Sequence, residues 1–142
     1  MKSRRRRSNE RGAAMVEMIL VLPMLLFVLF AIVELSRAWF TLHVTTTAVR
    51  EGARVGSLAA AANVNAEGSN RINNILDAAG INSASRNVNV ALQNLTCSPA
   101  CPGEQEVVAT ANVTFSTIFG NLLPQLQTLN MTQTARMRFE GS

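Results

Sequence analysis

The chain is poor in the side chains that do chemistry. It has one histidine, His43, one aspartate, Asp77, and two cysteines, Cys97 and Cys101. A structural zinc site takes four ligands in fixed geometry, and one histidine with two distant cysteines does not supply them. His43 stands among threonines with no acid placed to orient it, so no nucleophile–base pair is built on it. No glycine-rich phosphate loop occurs either. These lacks predict a structural protein rather than an enzyme, with no metal, no cofactor and no small-molecule substrate.

Charge is scarce as well, at 15% of residues, and it is unevenly placed. Residues 1–12 carry six basic side chains (Lys2, Arg4, Arg5, Arg6, Arg7 and Arg11) against Glu10, a net +5. The other seven basic residues meet eight acids, so the rest of the chain sums to −1. A phosphate-binding surface needs its cations on a folded face. Here they crowd one terminal tail, which argues against a nucleic-acid partner. Proline is absent between Pro23 and Pro99, which leaves room for one very long helix.

What the chain does have is a greasy run, "RGAAMVEMILVLPMLLFVLFAIVE", residues 11–34. From Ala13 to Val33 only Glu17 is charged. At 1.5 Å per residue such a run spans roughly 30 Å, the hydrocarbon thickness of a bilayer. Pro23 removes one backbone donor and should bend the helix, which membrane helices tolerate. The arginine cluster before it predicts a cytoplasmic N-terminus and an exported C-terminal part. Glu17 is the anomaly, since one charge near the centre of a membrane helix costs roughly 2.5–3.5 kcal/mol.

Three targeting readings compete. A secretory signal cut at "Ser36-Arg37-Ala38" has too long an apolar stretch and Glu34 just before the cut. A twin-arginine signal has the arginines of "SRRRRSN" without apolar residues after them. A cut after Gly12 leaves the membrane helix on the mature protein and makes Glu17 its fifth residue.

The last pattern, a basic leader, a glycine at the cut and then "AAMVE" entering an apolar helix, resembles a type IV prepilin. Together with "AVREGARVGSLA" at 48–59 and the ending "ARMRFE", it is similar to the TadE-like family of minor pseudopilins of the Tad (Flp, type IVc) pilus system. The resemblance implies processing between Gly12 and Ala13 by a prepilin peptidase. It implies that Glu17 faces the free amine of an adjacent subunit during assembly. It also implies a role in building pili used in surface adhesion, at the bacterial inner membrane. The implied partners are the major pilin, a sister minor pseudopilin and the inner-membrane assembly platform, besides membrane lipid. Two plainer readings stand beside it. Glu17, one turn inside the boundary, could snorkel to water, and the chain could be a single-pass envelope anchor whose exported domain binds a protein partner without any pilus.

Beyond the membrane, Leu35, Ala38, Trp39, Leu42, Thr46, Val49 and Ala53 recur at three- and four-residue steps. One helix is expected from about Ala14 to about Ala61, with Trp39 near the outer interface and Glu34 paired with Arg37. Gly52, Ala53 and Gly56 are small enough to let another helix or a sheet come close, although each glycine also weakens the helix. A second helix is expected over Asn70–Ala79, capped by Ser69 or Asn70 and stopped by Gly80. Three strands follow: Val88, Val90 and Leu92 alternate; so do Val107, Ala109, Ala111, Val113 and Phe115; and so do Met131, Ala135, Met137 and Phe139.

The predicted fold is α+β: a long N-terminal helix, part transmembrane and part outside, packed on a small three-stranded antiparallel sheet as in pilins. The segments would be a basic leader at 1–12, the membrane helix at 13–34, its continuation at 35–62 and an exported domain at 63–142. "CSPACPG" lies in the turn between the first two strands. A Cys97–Cys101 bridge would close a tiny loop worth about 2 kcal/mol, with free thiols as the alternative. "STIFGNLLPQL", residues 116–126, is either a loop covering the sheet end or an apolar patch for a neighbouring subunit.

Overall fold

The computed structural model describes residues 4–95, 104–118 and 127–141, with side chains from Gly12 onward. The Cys97–Cys101 bridge and most of the 116–126 segment lie outside the described residues. The chain divides into two compact units, Met1–Arg37 and Ala38–Ser142.

Helix α1 runs Arg4–Leu58. It starts ten residues before the expected Ala14, because nothing in the arginine-rich start breaks a helix and arginine is among the better helix formers. It ends three residues before the expected Ala61. In the first unit every side chain from Gly12 to Val33 is exposed, and Pro23 lies inside the helix.

In the second unit α1 changes character. Thr41, Thr45, Ala48, Val49, Gly52, Ala53, Gly56 and Ser57 are buried, spaced to one face of a 3.6-residue helix. This differs from the expected face, of which Val49 and Ala53 are buried while Leu35 and Trp39 are 71% and 68% exposed. The buried stripe is made of small residues, and its hydroxyls satisfy themselves. Thr45 Oγ1 donates to the Thr41 carbonyl at 2.7 Å, and Ser57 Oγ to the Arg54 carbonyl at 2.9 Å. A threonine bonded in this way hides its polarity inside its own helix, so it packs as a small apolar residue.

A turn at 59–63 reverses the chain into helix α2, Val64–Ala78. It begins six residues earlier than the expected Asn70. Ser69 is interior, and Asn63 occupies the N-cap without a side-chain cap bond. Val64, Gly68, Ile72 and Leu76 form one buried row at four-residue steps, which extends the helix a turn and a half before the expected cap. The C-terminus stops at Gly80 as its sequence predicts. Gly80 has φ 76°, Ile81 N–H reaches the Leu76 carbonyl at 3.0 Å, and Gly80 N–H reaches Asp77 at 2.9 Å. This six-to-one, five-to-two pair is a Schellman ending.

Strands β1 (Arg86–Asn94), β2 (Gln105–Ser116) and β3 (Thr128–Arg138) form one antiparallel sheet in the order β1-β2-β3. The registers place Val90 opposite Ala109 and Ala109 opposite Ala135. The alternating side chains read from the sequence thus share one face. Val90, Val107, Ala109 and Ala111 join Ala48, Val49 and Ala53 of α1 and Val64, Ile72 and Leu76 of α2 in the core. Each fully buried Val, Leu or Ile contributes about 1.5–3 kcal/mol by burial. Phe139, just past β3, also packs on this core. Beyond it, Glu140 N–H bonds the Ser57 carbonyl at 2.9 Å, satisfying one of the acceptors that the end of α1 leaves free.

Candidate functional site

Two stretches of α1 carry the candidate functional side chains. The first is the exposed apolar rod. It is the one described helix long and apolar enough to cross a membrane, with a mean hydropathy of 2.8 and none of its best window buried. Met15, Ile19, Leu20 and Met24 are 68% to 72% exposed. A soluble helix hides such a face; this one presents apolar side chains all round, as a bilayer or a sheath of other helices requires. Gly12 and Ala13 sit in the helix, both exposed, and no heavy atom lies within 4 Å of where a Gly12 Cβ would stand. Glu17 follows Ala13 by four residues, one helical turn, and is exposed. Among the described residues no cation pairs with it. Farther along, Arg37 meets Glu34 at 3.4 Å, as their spacing predicts.

The second stretch is "REGAR", residues 50–54, in the second unit. Gly52 faces α2 at its closest point. A Cβ added there would run into Ile72 Cγ1, lie 2.6 Å from Ile72 Cδ1 and 3.0 Å from the Gly68 carbonyl oxygen. A Cβ at Gly68 would in turn lie 3.1 Å from the Gly52 oxygen and 2.9 Å from Val90 Cγ1. The two glycines therefore meet backbone to backbone, with β1 behind. Ala53 is fully buried. Gly56 turns to the sheet, where an added Cβ would lie 3.1 Å from Val107 Cγ1.

Glu51 ties the same contact from outside. Arg54 donates to it at 2.9 and 3.0 Å, and Arg71 of α2 reaches it at 3.3 Å. The hydrogen bond from Arg54 is the largest cause that holds the Glu51 carboxyl down to about 2, with the bond and charge of Arg71 adding and burial opposing. Arg50, beside it, is exposed.

Residues 12–54 match the family described as TadE-like protein. This stretch is TadE-like. The TadE-like stretch begins at Gly12 and ends at Arg54, so it holds the rod, Glu17, Pro23, Gly52 and Ala53, and leaves Gly56, α2 and the sheet beyond it. No curated protein and no solved structure matches the chain.

Several anchoring residues went unread in the sequence. Gly68 is half of the helix–helix contact, and its four-residue row was the available signal. Arg86, its side chain 5% exposed, bonds Asp77 at 2.8 Å and the Ile81 carbonyl at 2.7 Å, locking the α2 ending to β1. Asn65 Nδ2 donates to the Val90 carbonyl at 2.8 Å. Neither Arg86 nor Asn65 has a one-dimensional signature, because each depends on a loop carbonyl or strand edge placed by the rest of the fold.

Proposed function

We propose that the chain is a minor pseudopilin that helps to assemble Tad pili used in surface adhesion. A prepilin peptidase cuts it after Gly12, and α1 anchors it in the bacterial inner membrane with its arginine-rich start in the cytoplasm and its second unit exported. One observation carries this reading: a TadE-like rod, exposed on every side, holds Glu17 one turn past Ala13 with no cation paired to it among the described residues.

Cutting at Gly12 creates an ammonium on Ala13 in apolar surroundings. Either charge alone is costly there; an amine from one chain against Glu17 of a neighbour lowers both costs and selects one stagger of the rods over sliding ones. Pro23 leaves one carbonyl of the rod without its helical partner and gives it a local bend. The major pilin, a sister pseudopilin and the assembly platform are the partners this reading names.

Sequencing the N-terminus of protein taken from cells tests it. The expected first residue is Ala13. A chain that still begins at Met1 refutes the pilus reading and leaves a single-pass envelope anchor; a start at Trp39 makes it a secreted protein.

A further inference from the structure

The exposed surface of α1 is longer than the layer it would cross. From Gly12 to Phe40 every residue is exposed except Glu34 and Ala38, which are half-buried, and Thr41 is the first buried one. That stretch rises roughly 43 Å, against a hydrocarbon layer of about 30 Å. The rod therefore has a choice of depth, and its two ends ask different things of their surroundings.

At one end Glu17 is exposed, and no cation pairs with it among the described residues. Hydrocarbon there surrounds an uncompensated carboxylate. At the other end the polar groups satisfy one another. Ser36 Oγ donates to the Ile32 carbonyl at 2.8 Å, and Arg37 meets Glu34 at 3.4 Å. Around them Leu35, Trp39 and Phe40 are 71%, 68% and 55% exposed. A layer centred on Pro23 covers 13–33, buries Glu17 and leaves those three side chains in water. A layer centred on Val28 covers 18–38 and frees Glu17 to the headgroups. It takes Leu35 into hydrocarbon and sets Trp39 and Phe40 at the boundary, where aromatic rings gather. Glu34, the acid it takes in, brings its own cation, and Arg37 at the edge extends its head to water. The large apolar side chains given up are Met15 and Val16 alone. The second depth is favoured on both counts.

We propose that the unassembled chain rests at the second depth, held by a lipid-binding collar of Leu35, Trp39 and Phe40 at one headgroup boundary, with Glu17 on the water side of the other. This rests on α1 crossing a membrane and not on cleavage at Gly12. The apolar surroundings in which a neighbour's amine meets Glu17 are then those between packed rods rather than lipid.

Trp39 is the sole tryptophan and the chain has no tyrosine, so a tryptophan moved along the rod can be read alone. The full chain is placed in dioleoylphosphatidylcholine vesicles, and its emission is quenched by lipids brominated near the headgroup or near the chain end. Trp39 should be quenched about twofold more by the shallow bromines than by the deep ones. In a Trp39→Phe background, Val28→Trp should be quenched by the deep bromines about twofold more than Leu22→Trp. Replacing the collar (Leu35→Gln, Trp39→Gln, Phe40→Gln) leaves Glu17 in place and should reverse that order. Deeper quenching in Leu22→Trp than in Val28→Trp with the collar intact, Trp39 quenched only from the water, or an order unmoved by the glutamines each overturns the proposal while the membrane anchor stands. A chain that does not float with the vesicles overturns the anchor as well.

Discussion

The contact at Gly52 can be tested by adding a single methyl group. In Gly52→Ala the new Cβ meets Ile72 Cγ1 head-on, lies 2.6 Å from Ile72 Cδ1 and 3.0 Å from the Gly68 oxygen. Ile72 is fully buried and has no solvent to swing into. Gly68 has no room to retreat, because Val90 stands behind it. The two helices must separate or Ile72 must leave its rotamer, which costs about 1–3 kcal/mol. Against this, alanine gains up to about 1 kcal/mol over glycine inside a helix. The net is a loss of about 1–2 kcal/mol, or a fall in Tm of about 5–15 °C for a domain of this size. The assay is thermal unfolding of the full chain in micelles, read by protease susceptibility of the second unit. Ile72→Ala alone should cost about 2–5 kcal/mol. In the double variant the new methyl occupies part of that cavity, so the two losses should fall short of additivity by at least about 1 kcal/mol. A Gly52→Ala protein that melts at or above the parent, or losses that simply add, would falsify the backbone-to-backbone contact.

Acid should weaken the same contact. The Glu51 carboxyl is held near 2 against an ordinary 4.5, so its contribution is complete above about pH 4.5 and disappears as pH falls toward 2. With Arg54 and Arg71 about half exposed, screening reduces that contribution to about 1 kcal/mol; Glu51→Gln should lie that far below the parent at pH 7 and meet it at pH 2 in urea unfolding. Gly80→Ala meets no atom within 4 Å, so its cost is the left-handed backbone alone, about 1 kcal/mol, and Gly80→Asn should recover part of it in the same measurement.

Legibility followed how local each cause is. Strands β1 to β3 were readable because one buried face imposes a two-residue period that three segments display plainly. Gly80 was readable because only a left-handed residue closes that helix. On α1 the three- and four-residue steps alone did not separate buried from exposed positions, since Leu35 and Trp39 are large and apolar yet exposed. The buried face runs through Thr41, Thr45 and Gly52, of which only the glycine carries a packing signal in the sequence. Gly68 went unread because a glycine signals a break by propensity and a contact by packing, and the partner that decides between them, Gly52, lies sixteen residues away in sequence. The strand order and Arg86's twin bonds to Asp77 and Ile81 depend on chain reversals that no short window contains.

The extent of the TadE-like match has a physical counterpart in this division. The rod is apolar all round except for Glu17, one turn past Ala13, and at Gly52 a side chain would meet Ile72 and the Gly68 carbonyl oxygen. The sheet answers to a weaker demand. Alternation with a buried face is met by many sequences, since Val, Ile, Ala or Phe all satisfy a position such as Val113 or Phe115 when neighbours adjust in volume. At Gly56, two residues past the match, an added Cβ would lie 3.1 Å from Val107 Cγ1 and 3.5 Å from both Val64 Cγ1 and the Val64 carbonyl oxygen, a looser fit than at Gly52. The stretch from Gly12 to Arg54 thus joins the exposed rod to the Gly52 contact, whereas the sheet's buried face rests on alternation.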